Sequence, residues 1–249
     1  MPVSVPICRR LTTCIACTML SGVLGAQVPV DSTARFVWRD LPSQHPRVTL
    51  GMGIVATATT IALFDNHLAY ESRKFRDWSG SGMQSISLAT SSVGGYLPLA
   101  LGGSLAVSGW AFHHDFTQHL GTDVVKSVIT SGVVTLAIKG SVGRGRPRES
   151  PDDADLFHPG KGFFDNNFAS FPSGHTSAAF SSATVLAMEL SKAHPSHSKW
   201  IKLGMYGAAT AVGLSRMYEN AHWASDVFAG AAIGTLSGMR IVRQRNAKP

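Results

Sequence analysis

The segment 171–190 reads FPSGHTSAAFSSATVLAMEL and predicts an α-helix that opens on a turn of small residues. A proline followed by small residues is typical of a helix N-terminus, and the run from Thr176 to Met188 carries no charge. Free backbone N–H groups at such a terminus bind anions, and Gly174 lets a ligand approach the backbone. Ser173 adds a hydroxyl donor, and His175 on the first turn could reach the same anion. An ordinary helix start with an incidental histidine explains the segment equally well.

Further apolar segments rich in alanine, glycine and small β-branched residues lie on both sides of this one, and such residues suit close helix packing. No alternating strand pattern of convincing length is present. We therefore predict an all-α fold, a bundle of about six helices with the active site at one end. The predicted helices cover 48–64, 79–112 (broken at Gly94-Gly95 and Pro98), 123–139, 173–191, 199–217 and 222–242.

Composition does not decide between a soluble bundle and a transmembrane one. The 249 residues are 44% hydrophobic and 15% charged, against about 25% charged in an average soluble domain. A membrane span needs about 20 apolar residues, whereas the uncharged cores of the last four helices are 12 or 13 residues long. A soluble bundle and a transmembrane one are therefore both open.

The first 26 residues predict a secretory signal peptide or an uncleaved N-terminal anchor. Arg9 and Arg10 precede an uncharged apolar run that ends at the small residues Gly25 and Ala26. Export predicts a location in the bacterial cell envelope, either in the inner membrane with a periplasm-facing site or in the periplasm. A polar lead-in (27–47), a helical domain (48–242) and a basic tail (243–249) follow.

Cysteine usage and net charge exclude several kinds of function. All three cysteines lie in the first 17 residues, so a chain processed near Ala26 has no thiol for a nucleophile, a thiolate metal site or a disulfide. The formal net charge of +7 suits anionic lipid or phosphorylated substrates. No run of Lys and Arg typical of a nucleic-acid arm is present, so nucleic acid is not an expected partner.

Two basic residues flank a glycine-rich turn ahead of the first segment. Lys139 is followed after six residues by Arg146-Pro147, and the irregular stretch 140–171 is long enough to be functional. A guanidinium fork binds phosphate oxygens in pairs, and lysine adds a point charge. Alone, this pattern is explained better by a basic helix C-terminus.

A third cluster reads Ser215-Arg216-x5-His222-x3-Asp226. Residues four apart share a face of a helix, so Asp226 can hold one imidazole nitrogen of His222 and leave the other free to attack. Arg216 supplies a third cation for phosphate. A His–Asp pair at this spacing is, by itself, more often structural.

Together the three clusters resemble the type 2 phosphatidic acid phosphatase and vanadium haloperoxidase superfamily. Its signature is Lys-x6-Arg-Pro, Pro-Ser-Gly-His and Ser-Arg-x5-His-x3-Asp, and all eleven specified residues occur here in order. The resemblance covers about 124–240, and the stretch SFPSGHTSAAF looks especially like the bacterial lipid phosphatase branch.

The resemblance implies a role for each residue. His222 is expected to be the nucleophile that forms a phosphohistidine, with Asp226 orienting it. His175 is expected to protonate the leaving oxygen and then to activate water. The remaining residues are expected to bind the phosphoryl oxygens and stabilise the transition state without a metal or other cofactor: Lys139, Arg146, Ser173, Gly174 and Arg216.

The function implied is hydrolysis of a phosphate monoester or pyrophosphate, foremost a lipid phosphate such as phosphatidic acid or polyprenyl pyrophosphate, with the membrane as a partner. A broad-specificity soluble periplasmic acid phosphatase is the alternative. A vanadate-dependent haloperoxidase is disfavoured because those chains are much longer, and a non-enzymatic membrane scaffold because the motifs are intact.

Two further features attract a functional interpretation. A histidine-rich stretch (113–119) resembles a metal site, but its spacing matches no ligand geometry and a polar turn explains it better. Trp223 either lines the pocket or anchors its helix at a membrane interface, and we favour the anchor.

Overall fold

The computed structural model describes residues 46–247, and within them the chain forms six α-helices and no strand. The predicted all-α bundle is therefore confirmed. The signal at 1–26 and nearly all of the lead-in lie outside the described residues. The helices are α1 (Pro46–Leu63), α2 (Asp65–Ala111), α3 (Asp115–Val142), α4 (Gly174–Ala193), α5 (Ser198–Tyr218) and α6 (Ala224–Asn246).

Helix α2 is longer than predicted, and its interruption lies elsewhere. The chain stays helical through Gly94-Gly95 and Pro98, whereas Gly80 is non-helical with φ 71° and ψ −175°. A proline ring clashes with the carbonyl four residues earlier. That residue here is Gly94, which has no side chain to restrain the adjustment of the backbone. The left-handed φ of Gly80 is one that glycine adopts without strain.

Helices α4 and α6 are in backbone contact along a stripe of three glycines spaced four residues apart. A Cβ at Gly230, Gly234 or Gly238 would lie 2.3–2.7 Å from a carbonyl oxygen of α4. Any side chain at these positions would push the two helices apart. The close crossing brings the start of α4 against the start of α6, where the Ser173 N–H donates to the Asp226 carbonyl at 2.9 Å.

The segment between α3 and α4 folds over the same end of the bundle. Helix α3 ends at Gly143, whose φ is 63° and whose N–H donates to the Lys139 carbonyl at 3.2 Å. Two short 3-10 turns follow, Lys161–Phe163 and Asn166–Phe168. The Arg146 N–H donates to the Asn167 carbonyl at 2.9 Å. The basic end of α3 is thereby folded back beside the starts of α4 and α6.

A cluster of charged groups lies at the other end of the bundle. Arg245 of α6 contacts Asp123 of α3 at 2.8 Å and also pairs with Glu189 of α4. Apolar side chains fill the space on the way to it, among them Leu120, Val124, Val128, Val185 and Val242. Of the helices described, α3 is the one long and apolar enough to cross a membrane.

Candidate active site

His222 and Asp226 form a buried pair at the end of the bundle where α4 and α6 begin. The imidazole is 3% exposed, and its Nδ1 lies 3.4 Å from Asp226 Oδ2. That distance exceeds a normal hydrogen bond, and no group in the described chain replaces Asp226 as partner of Nδ1. The sequence predicted that His222 lies on the helix, but it lies in the turn before α6. Asp226, the third residue of α6, still reaches back to it.

The imidazole of His222 is neutral at ordinary pH. Burial lowers its pKa to about 3, and the nearby Asp226 carboxylate only partly opposes this effect. Since Nδ1 faces Asp226, Nε2 is the nitrogen that remains for attack. A neutral ring with a fixed tautomer is the form that a histidine nucleophile needs.

His175 is the second residue of α4, and its ring packs against α2. A Cβ built on Gly95 would lie 2.9 Å from His175 Nε2, so the helix backbone passes close to the imidazole. Burial, and next the charges of Arg216, Lys139 and Arg146, lower the pKa of His175 to about 4. The three cations predicted from the sequence thus act on one imidazole.

Arg146 is held by three hydrogen bonds within the site. Its Nε donates to the Asn166 carbonyl at 2.8 Å and its Nη2 to Asn166 Oδ1 at 2.9 Å. Its Nη1 donates to the Ala221 carbonyl at 3.0 Å, directly before His222 in the chain. Burial lowers the pKa of Arg146 to about 10, which still leaves the guanidinium charged at neutral pH. This cation is therefore fixed beside the candidate nucleophile before any ligand binds.

Lys139 lies in the last turn of α3 and is half-buried. Its Nζ donates to the Ala169 carbonyl at 2.5 Å, so the ammonium bridges the end of α3 and the chain that leads into α4. Its charge and that of Arg146 each act to lower the pKa of His222. Lys139 therefore belongs to the same electrostatic site.

Arg216 is paired with an acidic residue, Glu219, which the sequence analysis did not identify. Its Nη1 pairs with Glu219 Oε2 at 2.5 Å, while its Nε is buried without a hydrogen-bond partner in the described chain. Glu219 Oε1 accepts from Ser87 Oγ of α2 at 3.3 Å. The guanidinium is thereby anchored on one edge and keeps unused donor capacity on another.

The start of α4 has the form expected of an anion site, with one difference. Ser173 is the N-cap, and its Oγ accepts from the Thr176 N–H at 3.5 Å and lies 2.9 Å from Thr176 Oγ1, so this hydroxyl is already engaged in capping. A Cβ on Gly174 would meet only Thr135 Cγ2, at the ordinary distance of 3.8 Å. Contacts within the protein therefore do not demand a glycine at this position.

Two buried side chains at the site were missed from the sequence. Arg144 is fully buried and binds Asp226 Oδ1 through Nη1 at 2.8 Å. Its Nη2 binds Asp65 Oδ2, also at 2.8 Å, at the start of α2. The repeated Gly-Arg spacing in 143–146 was the available signal for Arg144. Asp65 lies outside every motif and gave none.

The remaining sequence hypotheses have plain outcomes. His114 caps α3, with its Nδ1 accepting from the Thr117 N–H at 3.3 Å, and the described residues hold no group of three or more His, Cys, Asp or Glu that could bind a metal ion. The interface anchor favoured for Trp223 is wrong. Its indole is 1% exposed and donates from Nε1 to the Gly145 carbonyl at 2.9 Å.

Comparison with known proteins gives one family match. The model of the PAP2 superfamily matches residues 120–249, a range that includes all eleven motif residues and both catalytic histidine candidates. Asp65 lies outside the matched range.

Several curated proteins are similar to part of the chain. A lipid A 1-phosphatase of Porphyromonas gingivalis is 46% identical over 69 residues, covering 28% of this chain and 15% of its own. Lipid phosphate phosphatase 1 of Arabidopsis thaliana is 37% identical over 142 residues, covering 49% and 43%. The chain thus spans less than half the length of each of these relatives.

Two solved structures share the fold. A transmembrane PAP2-type phosphatidylglycerolphosphate phosphatase from Bacillus subtilis has a TM-score of 0.55 at 22% identity, covering 82% of this chain and 97% of its own. LpxE of Aquifex aeolicus has a TM-score of 0.51 at 24% identity, covering 70% and 93%. At these identities the likeness is one of fold.

Proposed function

Because this chain belongs to the PAP2 superfamily, we propose that it is a metal-independent phosphatase that acts on a phosphate monoester or pyrophosphate through a phosphohistidine. The carrying observation is the buried, neutral His222 beside Asp226, with the charges of Lys139, Arg146 and Arg216 concentrated on the same end of the bundle. Three fixed cations supply the charge stabilisation that a metal gives in other phosphoryl-transfer enzymes.

The first step transfers the phosphoryl group to the enzyme. His222 Nε2 attacks phosphorus, a P–N bond forms, and the P–O bond to the leaving group breaks. His175 donates a proton to the departing oxygen. The ring of His222 keeps its Nδ1 proton and becomes positively charged, and the Asp226 carboxylate beside Nδ1 stabilises that charge.

The second step releases phosphate. His175, now neutral, takes a proton from a water molecule whose oxygen attacks phosphorus. The P–N bond breaks, its electron pair returns to Nε2, and inorganic phosphate leaves. His222 is again neutral and His175 again protonated, so the cycle closes without a net change in the enzyme.

The substrate we propose is a lipid phosphate, with the chain as a partner of the membrane. An apolar groove of about 470 Å³ runs between α2 and α5 and reaches Ser215, the neighbour of Arg216. A hydrocarbon chain lying there would leave its phosphate near the cations. Six large aromatic side chains are each at least 66% exposed and suit contact with lipid: Trp78, Tyr96, Trp110, Phe112, Phe164 and Trp200.

Localisation follows from the same reasoning. A predicted export signal at 1–26 and a lipid substrate together favour the bacterial envelope, with the site facing the periplasm. A soluble periplasmic acid phosphatase would share the chemistry and differ in substrate preference, so the substrate assay separates the two.

The test is phosphate release in the presence of EDTA from phosphatidic acid, a polyprenyl pyrophosphate and a soluble aryl phosphate. We expect release that is resistant to EDTA, greatest with a lipid substrate, and lost in His222→Ala. His197→Ala, an exposed histidine in the turn before α5, is the matched control and should retain full activity. No release from any substrate, or release that survives His222→Ala, would overturn the proposal. A preference for the aryl phosphate would favour the acid phosphatase instead.

A further inference from the structure

Arg144 is the centre of a hydrogen-bonded network that has no access to solvent. Its Nη1 donates to Asp226 Oδ1 at 2.8 Å and to Ser225 Oγ at 2.7 Å. Its Nη2 donates to Asp65 Oδ2 at 2.8 Å, and Nη2 and Nε both donate to the Ala154 carbonyl at 2.7 and 2.9 Å. Every donor nitrogen of the guanidinium therefore has a partner.

Asp65 closes this network from the far side. Its Oδ1 accepts the Ser225 N–H at 3.0 Å, and its Oδ2 accepts the Ser225 hydroxyl. The first residue of α2 is thereby tied to the first turn of α6. Asp65 and Arg144 are 79 residues apart in the chain, and neither touches the open part of the site.

Two aromatic rings flank the guanidinium of Arg144. Phe157 and Trp223 each have their ring centroid 5.3 Å from its central carbon. Cation–π contacts with these rings and the complete burial of the Arg144 side chain restrain the plane of the fork. A planar fork held in this way binds two carboxylates at once, which a lysine ammonium cannot do with the same geometry.

The network fixes both oxygens of Asp226. Oδ1 is bound to Arg144, while Oδ2 accepts from Ser170 Oγ at 2.5 Å and from the Trp223 N–H at 2.9 Å. The carboxylate plane cannot rotate without breaking one of these bonds. In this orientation the carboxylate faces His222, whose Nδ1 lies 3.4 Å from Oδ2.

The network places a second carboxylate behind Asp226. Asp65 and Asp226 both bind the guanidinium of Arg144. An imidazole that gains a phosphoryl group on Nε2 while keeping its Nδ1 proton becomes positively charged. Asp226 is the carboxylate beside Nδ1, and a buried charge that gains a partner is stabilised.

From this arrangement we propose that Arg144 and Asp65 are positioning residues for the nucleophile, acting through Asp226 to hold His222 and to stabilise its phosphorylated form. The proposal rests on the proposed phosphohistidine function. Both side chains are fully buried, so neither touches substrate. Their substitution should affect formation of the phosphoenzyme and leave the binding of phosphate to the three cations unchanged.

The test uses Arg144→Lys and Asp65→Asn in the full chain, with Arg73→Lys as the matched control. Arg73 pairs with Asp152 at 2.9 Å on the surface and has no link to Asp226. We expect both site variants to lower kcat and the rate of phosphoenzyme formation about 10- to 100-fold, as for a small displacement of a reacting group. The inhibition constant for inorganic phosphate should stay within about twofold of wild type, as expected when only transition-state interactions are lost. The control should match wild type in every measurement.

A second readout does not depend on turnover. The ring resonances of His222 depend on where Asp226 lies against Nδ1, and the readout is the one of them that is lost in His222→Gln. In Asp65→Asn this resonance should move or broaden, while the His175 signals keep their positions. If Arg144→Lys fails to fold, Asp65→Asn alone decides the question.

The outcomes separate this proposal from the proposed function. A wild-type chain with no hydrolysis overturns the phosphatase assignment, and the resonance still decides whether Asp65 positions His222. An unchanged kcat, an unchanged resonance, or a loss confined to phosphate binding in the variants would overturn the positioning role.

Discussion

The pairing of Arg216 with Glu219 has a consequence for phosphate binding. An oxyanion that binds Arg216 meets a guanidinium already half neutralised, and the Glu219 carboxylate repels a dianion at short range. The same carboxylate, supported by Ser87, holds the guanidinium in one orientation. We therefore expect Glu219 to weaken the binding of phosphate and to improve its geometry.

Glu219→Gln should separate these two effects. The amide removes the negative charge, so the inhibition constant for inorganic phosphate should fall about threefold to tenfold. Because the guanidinium is held less firmly, kcat should fall as well. Competitive inhibition and initial rates measure both, with the exposed Asp152→Asn as control. A weaker binding of phosphate in Glu219→Gln would show that orientation outweighs repulsion.

The depressed pKa of His175, about 4 in the free protein, predicts different pH profiles for kcat/KM and kcat. A general acid must be protonated, and the protonated fraction of free His175 falls as pH rises through about 4. A bound phosphoryl dianion offsets the charges of Arg216, Lys139 and Arg146 and raises this pKa. We therefore expect kcat to persist to higher pH than kcat/KM.

The choice of substrate provides the control for this pH prediction. When the phenol of an aryl phosphate is strongly acidic, the phenolate leaves without needing a proton. The pH profiles for such a substrate should therefore lack the fall in rate that deprotonation of His175 causes. Identical limbs in kcat and kcat/KM for an alkyl phosphate would contradict the assignment of His175 as the acid.

At the level of elements, the contact between α2 and α4 makes one glycine sensitive. A Cβ at Gly95 would lie 2.9 Å from His175 Nε2 and 3.1 Å from Cδ2, whereas a Cβ at Gly103 on the same helix meets nothing within 4 Å. Gly95→Ala should therefore displace the imidazole and lower kcat about tenfold or more. Gly103→Ala should retain activity, because alanine is a better helix former than glycine.

Thermal unfolding of the two glycine variants identifies the cause of any loss. A reduced kcat with an unchanged unfolding midpoint in Gly95→Ala indicates that the His175 imidazole is displaced while the fold keeps its stability. Full activity in Gly95→Ala would show that the backbone of α2 shifts to accommodate the added methyl group and leaves the imidazole in place.

The sequence predicts helices wherever uncharged runs are long, and this suffices for α1 and for α4 to α6 within about four residues, whereas α3 begins at Asp115, ahead of its predicted start at Asp123. It places the interruption of α2 at the wrong residues. The helix accommodates Pro98 because the residue one turn earlier is a glycine, and it is interrupted instead at Gly80, whose backbone is non-helical. The motifs identify the residues that we propose to bind phosphate. The support behind them is invisible in sequence, since Asp65 and Arg144 meet only through tertiary packing.

At the scale of the whole bundle, from residue 46 to residue 247, charged groups are concentrated at the two ends of an apolar core. The end away from the site holds Asp123 and Glu189, both at most 5% exposed, around Arg245. Burial is the largest effect on Asp123, and it raises the pKa of that carboxyl. This end ties α3, α4 and α6 together and has no contact with the phosphate-binding groups.

Arg245→Met should therefore destabilise the fold and leave the chemistry intact. Removing the shared cation leaves two buried carboxylates poorly paired, at a cost of about 3 kcal/mol. Chemical unfolding measures this loss, and kcat at a temperature well below the transition should match wild type. Arg240→Met, at an exposed position on the same helix, is the comparison for an arginine near the helix end. A loss of kcat in the folded Arg245→Met protein would reveal coupling between the two ends.

The burial of Trp223 gives the site an optical signal of its own. Trp78, Trp110 and Trp200 are each at least 66% exposed, and Trp38 lies outside the described residues. In a Trp38→Phe variant, a water-soluble quencher would therefore extinguish the fluorescence of the three exposed residues first and leave the emission of Trp223. That indole stacks on Arg144 and donates to the backbone beside Arg146. Any movement of the guanidinium network when an oxyanion binds would alter the residual emission, so ligand binding can be followed by light without a label.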